Sequence, residues 1–149
     1  MKKFLFLLIL LFLNSVVFAN ENYASKQLIM IDLDEVLDNY SKYDKNNIPP
    51  IKSGAKEFVQ KLYSEDKYDL ILFTTRSPKQ ATQWLIENKI DKYFKDVTNI
   101  KYPAYIYIDD RAIQFNGNYD KTLKQIKKFK VYWKREKTAA TGIEPVSAE

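Results

Sequence analysis

The chain has 149 residues, enough for one domain and too few for two ordinary ones, and a domain of that size needs no covalent staples. Cysteine and histidine are both absent, which excludes disulfides, thiol nucleophiles, Ser-His-Asp triads and histidine-built zinc hydrolases. The net charge of +5 includes Lys2 and Lys3, so a chain trimmed at its N-terminus carries +3, too little to predict nucleic-acid binding.

Met1-Lys2-Lys3 precedes an unbroken apolar run over residues 4–13, which Asn14-Ser15 interrupts and Val16-Val17-Phe18-Ala19 closes. This order of charged, apolar and small residues predicts a signal peptide over 1–19, cut after Ala19. An uncleaved membrane anchor is the alternative, although the run is short of the roughly 20 apolar residues a spanning helix needs. Either way the expected location is outside the cytoplasm, periplasmic or secreted, with membrane contact only through an uncleaved N-terminus.

From Gln27 short apolar runs alternate with amphipathic segments, the pattern of a parallel sheet with crossover helices. Leu28-Ile29-Met30-Ile31 reads as a buried central strand. Residues 39–50, with Asn46-Asn47 and Pro49-Pro50, read as a loop or flap. Ser53 is expected to cap a helix with apolar positions Ala55, Phe58, Val59, Leu62 and Tyr63. Leu70-Ile71-Leu72-Phe73 is a second strand. Ser77-Pro78 opens a helix through Ala81, Trp84 and Leu85 to about Asn88. A short strand is expected near Val97, and a further strong one at Tyr105-Ile106-Tyr107-Ile108. A last helix is predicted over 119–128 with Leu123 and Ile126 facing inward, and its lysines form an exposed face. Residues 135–149 have no apolar period and are expected to be a disordered tail.

Three of these strands end at their carboxyl side in polar groups: Asp32-Leu33-Asp34, Thr74-Thr75-Arg76 and Asp109-Asp110-Arg111. Ligands of open parallel sheets bind beyond those strand ends, so the topology brings distant groups together. Side chains alternate along a strand, so Asp32 and Asp34 can share a side. Crowded carboxylates repel one another, and oxygen-only ligands select a hard cation, magnesium above all. Taken singly each motif is weak: Asp-x-Asp is commonly a solvated turn. A calcium loop beginning at Asp32 fails because Val36 and Leu37 stand where ligand and turn residues are needed.

With these residues in view, the chain resembles the haloacid dehalogenase superfamily of aspartate-nucleophile phosphatases. The resemblance rests on Ile29-Met30-Ile31-Asp32-Leu33-Asp34, on Leu70-Ile71-Leu72-Phe73-Thr74, on Lys101, and on Tyr107-Ile108-Asp109-Asp110-Arg111-Ala112, in that order. It covers about residues 27–134. The ending Tyr-Ile-Asp-Asp-Arg-Ala, continuing to Trp133, is similar to that of small bacterial and phage hydrolases of the superfamily. Response-regulator receivers use similar groups in another order, and no glutamate strand precedes Asp-x-Asp as in Toprim domains. Two departures stand out: Glu35 occupies a place where glycine is common, and Lys101 is followed by Tyr102-Pro103 rather than directly by proline.

The resemblance implies a three-layer Rossmann-like α/β domain over 20–134, with a mainly parallel sheet. It also implies a magnesium-dependent phosphohydrolase that works through an aspartyl-phosphate. In that scheme Asp32 is the nucleophile and Asp34 the general acid and base. Magnesium is held by Asp32, the Asp34 backbone carbonyl and Asp110, with Asp109 close by. Thr74, Thr75 and Lys101 hold phosphoryl oxygens. Arg76 and Arg111 reach the substrate or form structural ion pairs. About forty residues separate Asp34 from Thr74 and fewer than thirty separate Thr74 from Lys101, so neither gap can house a cap domain. The open site suits a large or polymer-borne phosphorylated substrate, with Tyr40 and Tyr43 of the flap as candidate contacts. The alternatives are a phosphotransferase and a non-catalytic phosphate- or partner-binding module.

Overall fold

The computed structural model describes residues 25–131, so the expected signal peptide at 1–19, Trp133 and the tail at 135–149 lie outside the described residues. The elements are β1 Gln27–Asp32, α1 Ala55–Ser64, β2 Tyr68–Phe73, α2 Pro78–Glu87, a single 3-10 turn Asp91–Tyr93, β3 Phe94–Thr98, β4 Ile106–Ile108 and α3 Tyr119–Lys128. Four strands form one sheet in the order β3-β2-β1-β4, and every pairing is parallel. This is a Rossmann-like α/β fold, and no cap domain interrupts it among the described residues.

The central position of β1 and β2 follows from their composition. Ile29, Met30 and Ile31 in β1 and Leu70, Ile71 and Leu72 in β2 are all buried, as strands covered on both faces require. Alternation sends Ile29, Ile31, Leu70 and Leu72 to one face, where they form the core with Ala55 and Val59 of α1 and Ala81, Trp84 and Leu85 of α2. Burying each large side chain there contributes roughly 1.5–3 kcal/mol.

Helix α2 begins as its sequence predicts, with Ser77 at the N-cap and Pro78 in the first turn. The start of α1 differs. Gly54 rather than Ser53 takes the cap position, at φ 83°, a left-handed conformation that glycine adopts without a Cβ penalty. Ala55 and Val59 of this helix are buried, whereas Phe58 and Tyr63 remain exposed on its flank.

The edges depart further from expectation. Strand β4 spans three residues and is half-exposed, although its sequence is as apolar as those of the central strands. In α3 the expected inward positions Leu123 and Ile126 are each 55% exposed, and the helix buries no residue. Helical periodicity says which side of α3 is apolar; it does not supply an opposing surface, and β4 is too short to offer one. No helix among the described residues is long and apolar enough to cross a membrane.

Candidate metal and phosphate site

Strand order decides where a site can form. The chain runs outward from β1 to β2 and β3, then returns to place β4 on the other side of β1. A reversal of this kind leaves a crevice at the carboxyl ends of the two strands that flank it. Ile31 pairs with Ile108, so the next residues, Asp32 and Asp109, emerge side by side into that crevice.

Carboxylate oxygens of Asp32, Asp109 and Asp110 all lie within 4.8 Å of one another. Burial pushes the Asp32 carboxyl up to about 7; the N–H of Leu33 opposes the shift, and the charges of Asp109, Asp34 and Asp110 add to it. Asp109 is exposed, and its Oδ1 accepts a hydrogen bond from the Arg111 backbone N–H at 2.7 Å. The Asp110 side chain is only 1% exposed, with Oδ2 3.5 Å from Arg111 Nε. A set of three carboxylates with no nitrogen or sulfur donor fits a hard divalent cation, whose charge would offset both the burial and the neighbouring charges that raise Asp32.

Asp34 is drawn into different company. Its Oδ1 accepts a hydrogen bond from Arg76 Nε at 2.6 Å, and the two side chains are 14% and 3% exposed. Arg76 Nη1 also donates to the carbonyls of Asp44 (2.8 Å) and Asn47 (3.1 Å) in the flap. Its Nη2 is buried without a hydrogen-bond partner among the described residues. The guanidinium therefore forms a structural ion pair, one of the two roles the sequence left open for it.

Thr74 directly follows β2 and is buried; its N–H donates to the Thr98 carbonyl at 2.9 Å. Its Oγ1 accepts from the Arg76 backbone N–H at 3.2 Å, which leaves the hydroxyl hydrogen for another acceptor. Thr75 is exposed at the same strand end. Lys101 lies on the surface, with Nζ 4.3 Å from the ring centroid of Tyr107.

Sequence reading missed the support beneath Asp34. Glu35 takes a left-handed φ of 65°, which explains why glycine would suit that position. Lys52 compensates by donating to both the Glu35 backbone carbonyl and its carboxylate, the latter at 2.8 Å. Asp38 Oδ1 accepts the Glu35 N–H at 2.8 Å. Asp38 is fully buried; burial pushes its carboxyl up to about 6, opposed by the Glu35 N–H, and Oδ2 has no hydrogen-bond partner among the described residues. The missing glycine was the one visible signal. Nothing local in the sequence marks Lys52 as the residue that answers it.

The flap closes on itself at its base, where Asp38 bridges Ile51 and Asn39 N–H donates to the Pro50 carbonyl. Its two candidate tyrosines stand over the two arginines of the strand ends. The Tyr43 ring is 5.4 Å from the Arg76 guanidinium carbon and the Tyr40 ring is 5.3 Å from that of Arg111.

No protein-family model matches the sequence, and no curated protein does. Among solved structures, a conserved protein of Bacteroides thetaiotaomicron is similar over 69% of this chain and 91% of its own, at 21% identity and a TM-score of 0.47. That likeness is too distant to say what this chain binds or does.

Proposed function

We propose that the chain is a magnesium-dependent phosphohydrolase of the haloacid dehalogenase type, acting outside the cytoplasm on a phosphoester that its uncapped crevice can admit. The observation that carries the reading is the meeting of Asp32, Asp109 and Asp110 within 4.8 Å at the ends of β1 and β4, with Asp34 two residues beyond the nucleophile position.

Asp32 attacks phosphorus in line. As its oxygen bonds to phosphorus, the bond to the leaving oxygen breaks and an aspartyl-phosphate forms. Asp34 protonates the leaving alcohol, then takes a proton from the water that hydrolyses the intermediate. Arg76 occupies Oδ1 of Asp34, so the second oxygen is the one that serves the leaving group. Thr74 and the backbone N–H of Thr75 hold phosphoryl oxygens. Lys101 leaves the Tyr107 ring to join them. Asp32, Asp109 and Asp110, with the Asp34 carbonyl, would hold magnesium, which when bound offsets negative charge on the carboxylates and phosphoryl group.

One observation favours the binding-module alternative: the candidate acid is already engaged by a buried cation. Turnover separates the readings. The chain is assayed on p-nitrophenyl phosphate with magnesium or with chelator, beside Asp32→Asn. Metal-dependent hydrolysis that vanishes in the variant supports the phosphatase. Absence of hydrolysis on this ester and on a panel of phosphorylated polymers, in a folded protein that binds magnesium, sinks it in favour of the module. Transfer to an added alcohol in place of water marks the phosphotransferase.

A further inference from the structure

Among the described residues, four side-chain hydrogen bonds to flap carbonyls come from the segment after β2 and from α2, while Arg111 meets the flap separately at Tyr40. Arg76 holds the carbonyls of Asp44 and Asn47, Gln80 Nε2 donates to the Lys45 carbonyl at 3.2 Å, and Trp84 Nε1 donates to the Pro49 carbonyl at 2.8 Å. Gln80 and Trp84 touch only the flap among these groups. Arg76 alone of the three also grips a carboxylate of the crevice, through Nε, another nitrogen of the same planar guanidinium.

A guanidinium is rigid, so its donors cannot move independently. With Nε on Asp34 and Nη1 on two flap carbonyls, displacing the flap rotates the group and drags Asp34 with it. Conversely, a change at Asp34 loosens the flap. The position is 4% exposed, so water does not readily replace a lost partner, and the bonds carry charge, which makes each stronger than a neutral one. Tyr43 covers the same guanidinium from the flap side.

We infer that Arg76 is a positioning residue that couples closure of the flap to the placement of the Asp34 carboxylate, so that the candidate acid is aligned only while the flap is down. The catalytic consequence rests on the reading of Asp34 as the acid and base; the mechanical coupling does not.

Amide hydrogen exchange of peptides across residues 39–50 tests the coupling without any need for turnover. The purified full chain is compared with Arg76→Lys, Asp34→Asn, their double variant and Gln80→Ala. Lysine keeps the charge but cannot span a carboxylate and two carbonyls in one plane. Expected is about tenfold or more faster exchange of the flap in Asp34→Asn, because the hydrogen bonds that join Asp34 to the flap run through Arg76. Arg76→Lys should exchange at least as fast, and the double variant no faster than Arg76→Lys. Gln80→Ala loosens the flap independently through its own bond to Lys45, so its effect should multiply with that of Asp34→Asn in a Gln80→Ala/Asp34→Asn double variant.

Flap exchange in Asp34→Asn equal to the parent overturns the inference and leaves Arg76 a plain strut. So does simple multiplication of the two effects in the Arg76→Lys/Asp34→Asn double variant. If Arg76→Lys fails to fold, the Asp34→Asn measurement decides alone. Where the parent hydrolyses phosphoester, Arg76→Lys should lower kcat about tenfold or more with a smaller change in KM. Lack of hydrolysis by the parent counts against the phosphatase reading and leaves the exchange result to stand by itself.

Discussion

The two sides of the crevice are built to different standards. On the β1–β2 side, both strands are central, Thr74 and Arg76 are buried, and Asp34 is wired through Arg76 to the flap. On the β4 side, a three-residue edge strand delivers an exposed Asp109, and Lys101 lies on a surface tyrosine. Asp32 and Asp34, two residues apart, fall on opposite sides of this divide. One faces other carboxylates across the strand reversal; the other faces a buried cation. The β1–β2 side is therefore the more rigidly bonded of the two, and the β4 side the more open.

Removing the shared residue should have the largest effect. Asp32→Asn is expected to lower phosphatase turnover about 10⁴-fold or more, as loss of a nucleophile commonly does. The measurement is steady-state hydrolysis under saturating magnesium, and retention of more than a hundredth of the activity would move the nucleophile elsewhere.

Titration separates the two sides next. Asp32 is raised to about 7 and Asp38 to about 6, both first by burial. A carboxyl raised on folding contributes most below its unfolded value, and that contribution is lost as pH rises through the folded one. The metal-free protein should therefore lose stability between about pH 4 and 7, by up to roughly 4 kcal/mol from Asp32 and roughly 3 from Asp38. Denaturant melts with chelator across this range check it. Asp38→Asn should remove about half of the loss between about pH 4 and 6, and Asp32→Asn the other half together with all of the loss between about 6 and 7. Saturating magnesium should cancel the Asp32 part alone.

The Glu35 turn under the rigid side is the third place to press. Lys52→Ala takes away the ammonium that holds the Glu35 carbonyl and carboxylate, and should cost about 2–3 kcal/mol in chemical denaturation. Glu35→Gly loses the same ion pair but relieves the left-handed backbone, so its net change should stay within about 1 kcal/mol. Equal losses in the two variants would mean that backbone strain contributes nothing here.

On the edge side, Lys101→Ala should lower kcat/KM by about 10- to 100-fold while leaving the melting temperature unchanged, because the side chain is exposed. No kinetic change would assign the lysine to its tyrosine alone. The smallest effect is expected in α3: Leu123→Glu should change stability by less than about 0.5 kcal/mol, against about 3–5 kcal/mol for Trp84→Ala in the buried α2. A large loss in Leu123→Glu would show that this helix buries its apolar face.

How far the sequence could be read varies with the kind of interaction. The start of helix α2 was legible to the residue because Ser77, Pro78 and the apolar spacing after them are local signals. The acidic strand ends were legible for the same reason. Arg76 was legible only as a choice between two roles, since its partner Asp34 lies 42 residues away. Lys52 was not legible at all, as it lies 17 residues from the carboxylate it holds. The inward face assigned to Leu123 and Ile126 failed because an amphipathic pattern names a side and not a neighbour.

By itself the sequence determined where strands and helices form and which of them end in aspartate, threonine and arginine, because periodicity and capping act over a few residues. Only the tertiary structure decided that β4 returns to the free side of β1 instead of extending the sheet past β3. That choice sets Asp32 beside Asp109 and Asp110, and it also makes β4 a short edge strand. Strand order depends on how whole apolar faces are shared among elements far apart in the chain. No local pattern encodes it, although the character of the site depends on it.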